Sequence, residues 1–243
     1  MLQFSKLLLR LPKGSIRQLS AEVFHEPRRL EVKEEDSLKH QDYFGVNKLF
    51  TVKDLFDARV HLGHKETAMD PRMNQFIFGT RFGQNIIDLD QTTLLLRQAL
   101  NFTAHIAYRN GLILFVCRQP QLIHMVDKAA IECGEYSFTR QWSTDTFTAS
   151  TLKFGQEVRL PDLVIILHCR GSEQYAEHRA ILDSAKVGIP TVGIVDTDCN
   201  PNLITYPVPG NDDSIPSTRL YLDLFKKAIL RGKEKRAQDN ISR

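Results

Sequence analysis

Three apolar runs, Leu112 to Val116 (LILFV), Leu163 to Leu167 (LVIIL) and Thr191 to Val195 (TVGIV), recur along the chain with amphipathic patterns between them. Each has the length and branched content of a buried strand. Between the first two, Pro120 opens a helix with Leu122, Val126, Ala129 and Cys133 on one face, and Gly134 follows its end. Between the second and third, Ser172 caps a helix carrying Tyr175, Leu182 and Ala185 that Gly188 and Pro190 stop. Earlier, Thr51-x-x-Asp54 opens a short helix through Arg59, with Val52, Leu55 and Phe56 as its apolar face, and Gly63 breaks it. Phe76 to Gly79 and Asn85 to Leu89 read as a hairpin-like pair around Thr80-Arg81-Phe82-Gly83. Asp90 caps a helix bearing Leu95, Ala99, Phe102 and Ile106, which ends at Asn110-Gly111. A final helix uses Tyr221, Leu224, Phe225 and Ala228. Alternating apolar strands and amphipathic helices predict an α/β fold, a doubly wound (Rossmann- or flavodoxin-like) parallel sheet with helices on both faces.

The third run passes abruptly into Asp196-Thr197-Asp198-Cys199-Asn200-Pro201-Asn202. A buried strand that empties into such a loop marks the carboxyl edge of a parallel sheet, where open α/β folds place their binding surfaces. Pro207, Pro209 and Gly210 direct the return, and Asn211-Asp212-Asp213-Ser214 is an N-cap cluster ahead of the last helix. The positive end of that helix accounts for the two carboxylates.

Charge changes the picture at the two ends. Of the net +3, Met1 to Ser20 supplies Lys6, Arg10, Lys13 and Arg17 with no acid, so the remainder carries 28 basic against 29 acidic residues. A leucine-rich, acid-free start has the composition of a mitochondrial transit peptide, and a retained basic amphipathic helix shares it. Glu22 to Asn47 holds seven acidic and four basic residues without an apolar period, the character of an extended or disordered linker. At the other end Lys226, Lys227, Arg231, Lys233, Lys235, Arg236 and Arg243 outnumber Glu234 and Asp239. The expected divisions are a transit peptide at 1–20, a linker or extension at 21–48, the α/β domain at 49–231 and a basic tail at 232–243. No apolar run approaches the roughly 18 residues of a membrane span. Cys117, Cys133, Cys169 and Cys199 are scattered without a C-x-x-C pair, so free buried thiols are expected rather than a zinc site.

The chemistry-bearing residues form no catalytic set. His61 and His64 are three apart, and Asp88, Asp196 and Asp198 lie at predicted strand ends. A metal or hydrolase site can be drawn from them, but Gly63 favours a turn and no H-E-x-x-H is present. Structural or RNA-contacting histidines are the preferred reading. The turns after the strands lack G-x-G-x-x-G, G-x-x-x-x-G-K-[ST] and G-x-S-x-G, so neither a nucleotide cradle nor a nucleophile elbow is encoded. Lys65, Arg72, Arg81, Arg118, Arg140, Lys153 and Arg170 fall in or beside predicted loops, where they can reach phosphates.

Two ordered motifs carry a family resemblance. One is Asp196-Thr197-Asp198-Cys199-Asn200-Pro201 followed by Tyr206-Pro207-Val208-Pro209-Gly210-Asn211-Asp212-Asp213. The other runs Val60-His61-Leu62-Gly63-His64, Asp70-Pro71-Arg72-Met73, Phe76-Ile77-Phe78-Gly79 and Ile86-Ile87-Asp88-Leu89. Together they resemble the small-subunit ribosomal protein two family, in its mitochondrial form, over roughly residues 49–236. The resemblance implies a structural, non-enzymatic constituent of the mitochondrial ribosome in the matrix. It would bind small-subunit rRNA and neighbouring ribosomal proteins, without cofactor, metal, membrane span or homo-oligomer. His61, His64, Lys65, Arg72, Arg81, Arg140, Lys153 and Arg170 become its candidate RNA-binding residues. Two departures stand out. Only Thr151 to Arg159 precedes Leu160-Pro161-Asp162, too little for the helical-hairpin insertion of bacterial members. The family's G-G-x-L-T-N segment is replaced around Trp142 to Ala149, with Thr144 and Asp145 in place of the glycines. The competing readings are a soluble α/β enzyme acting on a phosphorylated metabolite through Asp196, Asp198, His61 and His64, and a protein-interaction module outside the ribosome.

Overall fold

The computed structural model describes residues 34–155, 158–171 and 177–241. The chain divides into residues 1–41 and 42–243. Of the first unit, helix α1 (Glu34–Lys39) is described; the four transit-like cations and Ser20 lie outside the described residues. The second unit begins at Asp42, ahead of the boundary at residue 49 that composition suggested, because Phe44, Val46 and Phe50 are buried.

In that unit α2 (Val52–Asp57) starts with the expected capping box, in which Thr51 and Asp54 satisfy each other's backbone N–H groups. Its apolar face is narrower than expected, since Leu55 is buried but Val52 and Phe56 are exposed. Three short strands follow, β1 (Leu62–Lys65), β2 (Ile77–Arg81) and β3 (Gln84–Ile87), in an antiparallel sheet of order β1-β3-β2. The hairpin turn places Phe82 at φ 52° and Gly83 at φ 73°, the paired left-handed residues that suit the twist of a tight hairpin.

Helix α3 (Leu89–Tyr108) is capped by Asp88, whose carboxylate accepts from the Asp90 N–H, rather than by Asp90 itself. The parallel sheet then takes strands β4 (Ile113–Val116), β5 (Tyr136–Phe138), β6 (Leu163–Ile166), β7 (Thr191–Val195) and β8 (Tyr206–Pro209) in order β5-β4-β6-β7-β8, every pair parallel. Strands β6 and β7 are buried at every residue, the environment that continuous Val/Ile/Leu runs require. The doubly wound α/β architecture is as the pattern predicted.

Helices α4 (Ile123–Cys133), α6 (Arg179–Val187) and α7 (Ile215–Ile241) complete the layers, with the five-residue α5 (Ser150–Phe154) between β5 and β6. The α4 helix starts at Ile123, not Pro120, and His178 caps α6; Ser172 and Tyr175 lie outside the described residues. Helix α7 packs against both α3 and α4. On the other face α6 joins Trp142, Phe147 and Met73 over Val164 and Ile166.

The last helix absorbs much of the basic tail. Lys226 pairs with Glu132 at 3.0 Å, Arg231 donates to the Gly45 carbonyl, and Lys233 donates to the terminal carbonyls of α4 at Cys133 and Gly134. Tyr43 and Tyr108 both donate to Asp239, at 2.9 and 2.7 Å, which clasps the start of the unit to its end. All four cysteines are free and buried.

At Gly232 α7 lies directly against α3: a Cβ there would lie 2.5 Å from the Ala104 carbonyl oxygen and 3.1 Å from the Ala107 Cβ. Backbone cannot yield as a side chain can, so Gly232→Ala should destabilise the domain by about 1–3 kcal/mol. Chemical denaturation of the two proteins checks it; an unchanged midpoint would mean the helices can separate freely.

Candidate functional site

The carboxyl ends of β4, β6, β7 and β8 converge, and the antiparallel sheet is laid against them. Gly63 makes that approach possible, because a Cβ there would meet Thr197 Cγ2 at 2.5 Å. The Thr197 hydroxyl accepts from the His64 N–H at 2.8 Å, and the Asp70 N–H donates to the Thr197 carbonyl at 2.8 Å. The loop after β7 is therefore bound from two directions.

This brings the His64 imidazole among three carboxylates. Nδ1 is 3.2 Å from Asp196 Oδ2, and Nε2 is 3.1 Å from Asp213 Oδ2 and 3.8 Å from Asp198 Oδ2. The Nδ1 approach is bent away from hydrogen-bond geometry, so the attraction there is ionic. Asp196 and then Asp213 raise His64 to about 11, making it an imidazolium at neutral pH. In return His64 holds Asp213 below the usual carboxylate range.

A second pair lies alongside. His168 Nδ1, after β6, is 2.8 Å from Asp212 Oδ2. Complete burial pushes Asp212 up to about 6, which the His168 contact only partly relieves. Gln119, after β4, donates to Asp213 at 3.2 Å and lies 3.4 Å from His168. Arg170 pairs with Asp198, and the Asn200 amide donates to Glu177 at 2.8 Å. Beneath the cluster Tyr221 Oη is buried without a hydrogen-bond partner, and only glycine fits at position 210, where a Cβ would fall 1.9 Å from it.

The carboxylates before α7 are thus ion-pair partners, not caps as local pattern suggested. Asn211 shapes the turn ahead of the helix: its Oδ1 accepts from the N–H groups of Asp213 and Ser214 at 3.0 and 3.1 Å, and the Ser214 carbonyl then accepts the first helical bond, from the Thr218 N–H at 3.1 Å. Two triplets, His64 with Asp196 and Asp198, and His168 with Asp212 and Asp213, have ligand atoms within 4.8 Å of one another, so either could accept a divalent cation. An open cleft of about 770 Å³ lies outside His64, lined by Lys65, Phe82, Gly83, Gln84, Asp213 and Ser214 among others.

The candidate RNA-binding residues do not form one patch. His61 stays apart from the cluster, stacked on Phe56 at 4.5 Å. Arg72 is chelated by Asp70, with Nε to Oδ1 at 2.9 Å and Nη2 to Oδ2 at 2.8 Å. Lys153 is spent on Ser143 Oγ and the Thr144 carbonyl, while Arg140 is exposed beyond β5. Lys65 and Arg81 are brought together by strand register. Both are paired with Gln84, one on each side, so the three side chains share a face of the antiparallel sheet. The Arg81 guanidinium lies over the Phe82 ring at 5.5 Å.

The family profile of Ribosomal protein S2 matches residues 55–153 and 151–232. The chain belongs to that family. It is 53% identical over 203 residues to the small ribosomal subunit protein uS2m of Bos taurus, covering 84% of this chain and 69% of that protein. Bacterial members are further off: uS2 of Rickettsia typhi is 33% identical over 227 residues, 75% of each chain, and uS2 of Caulobacter vibrioides 32% over 220, covering 75% of this chain and 82% of the other. The enzymatic alternative is not supported by these relatives. Within the Ribosomal protein S2 fold, Trp142 is buried against Phe138 and Phe147, and its Nε1 donates to Asp183 at 3.0 Å, so the ring is not open to a base. Asp145, where the resemblance expects glycine, keeps the left-handed φ of 57°.

The ionic latch makes a pH-dependent prediction. His64 titrates higher in the folded state than its ordinary 6.5, so its contribution is complete below pH 6.5 and declines as pH rises toward 11. In chelator-treated protein, the stability difference between wild type and His64→Gln should therefore be largest near pH 6 and smaller at pH 9. Denaturation at both values measures it, and a pH-independent difference would show that His64 acts uncharged.

Proposed function

We propose that this chain is a structural constituent of the mitochondrial small ribosomal subunit, holding rRNA and neighbouring ribosomal proteins in place and supporting mitochondrial translation. The observation that carries this is its 53% identity to the bovine uS2m over 84% of its length. It acts as a single copy and performs no catalytic step. The ionic cluster serves this role by fixing the antiparallel sheet on the parallel one, since His64 reaches Asp196 and Asp213 beyond the carboxyl ends of β7 and β8.

RNA contact is assigned to the Lys65–Gln84–Arg81 row. Its three side chains are exposed, and the outer two reach a phosphate backbone without desolvation. Phe82, 97% exposed at the turn, offers an apolar surface beside them.

In a sucrose gradient of mitochondrial lysate the protein should migrate with the small subunit and leave it on RNase treatment. Migration as a free species in both gradients would overturn the ribosomal reading. The row is tested separately: with a small-subunit rRNA fragment, Lys65→Ala/Arg81→Ala should flatten the slope of log affinity against log salt by about 1 per residue. An unchanged slope would place the phosphate contacts elsewhere.

A further inference from the structure

Helix α5 (Ser150–Phe154) exposes apolar side chains that nothing in the fold requires at the surface. Leu152 is 89% exposed and Phe154 52%, Val158 follows at 48%, and no residue of α5 is buried. Single exposed apolar residues are ordinary, but three within seven positions make a patch of the kind that marks an interaction site.

The family profile matches in two pieces that meet at residues 151–153. The Rickettsia typhi alignment spans 227 positions while using only 75% of this chain's 243 residues, whereas the bovine one spans 203 and uses 84%. Bacterial relatives therefore carry polypeptide that leaves the fold at α5, and this chain and its bovine relative do not. What continues into protein in those relatives is here a bare apolar stub.

The charges around the stub decide between RNA and protein as its occupant. Lys153 is committed to Ser143 and Thr144, Arg159 to Asp162 at 2.7 Å, and Lys186 to Asp183 and Asp145 at 3.6 and 3.8 Å. Cations already matched by oxygens of the same chain are poor phosphate ligands, while exposed Leu and Phe suit a protein surface. We propose that α5 docks a neighbouring protein of the mitochondrial small subunit, which inserts an apolar segment over Leu152 and Phe154 where bacterial relatives have their own chain. This rests on the ribosomal reading above.

A photo-crosslinking residue at position 152 of the full chain, expressed in mitochondria depleted of the natural protein, tests it on purified small subunits. The expected result is an adduct with another ribosomal protein, mapped by mass spectrometry to an apolar segment, and none with that protein from position 94, another exposed leucine. The double variant Leu152→Asp/Phe154→Asp should melt like wild type and still sediment with the subunit, while that neighbour's occupancy falls about tenfold. An adduct to rRNA, no adduct, or an undiminished neighbour would overturn the proposal. Absence of the chain from small subunits would overturn the ribosomal reading itself, and this inference with it.

Discussion

The His64 imidazolium is the point at which the antiparallel sheet and the parallel sheet are joined. It pairs with Asp196 from the loop after β7 and with Asp213 from the loop after β8, each beside other carboxylates. Buried carboxylates without a counter-charge are costly, and breaking a buried pair leaves the remaining charge uncompensated. The backbone serves the same contact: Gly63 permits the approach, and Thr197 fixes the His64 N–H. The latch acts together with the backbone bonds from Asp70 to Thr197 and from Asn211 to Val60 in setting the position of the antiparallel sheet.

The main strands were legible because a strand buried on both faces needs an unbroken apolar run, and β4, β6 and β7 have one. The sheet's two edges were not. β5 reads Tyr-Ser-Phe and β8 reads Tyr-Pro-Val-Pro, and proline argues against a central strand. It is tolerated in β8 because that strand is an edge, a fact of topology rather than of local sequence. β1 was hidden for a similar reason: Gly63 looks like a breaker until Thr197 is seen pressed against it.

At the site, pattern located the region but not the partners. An Asn-Asp-Asp-Ser cluster before a helix fits capping by any of its members, and only the positions of His64 and His168 show that Asp212 and Asp213 form ion pairs while Asn211 shapes the turn before the helix. Basic residues raise the same problem in reverse. Lys153, Arg72 and Arg170 look like Lys65 and Arg81 in the sequence, and long cationic side chains find oxygens nearby in ways that spacing does not encode. Register separates them, because pairing both Lys65 and Arg81 with Gln84 follows from the hairpin and from β1, not from the chain between.

The electrostatics of the sheet edge also limit what that edge can receive. The chain's order reverses between β4 and β6, and at such a crevice open α/β proteins usually receive their ligands. Here Gln119 and His168 occupy it, and four carboxylates, Asp196, Asp198, Asp212 and Asp213, line the edge around the cations His64 and Arg170. A phosphate approaching that edge meets an excess of carboxylate rather than backbone N–H groups on a glycine-rich turn. The outer face of the antiparallel sheet, by contrast, carries Lys65 and Arg81, cations that the cluster has not consumed. The fold keeps the shape of a ligand-binding α/β protein while its usual binding crevice is closed by the charges that hold the two sheets together.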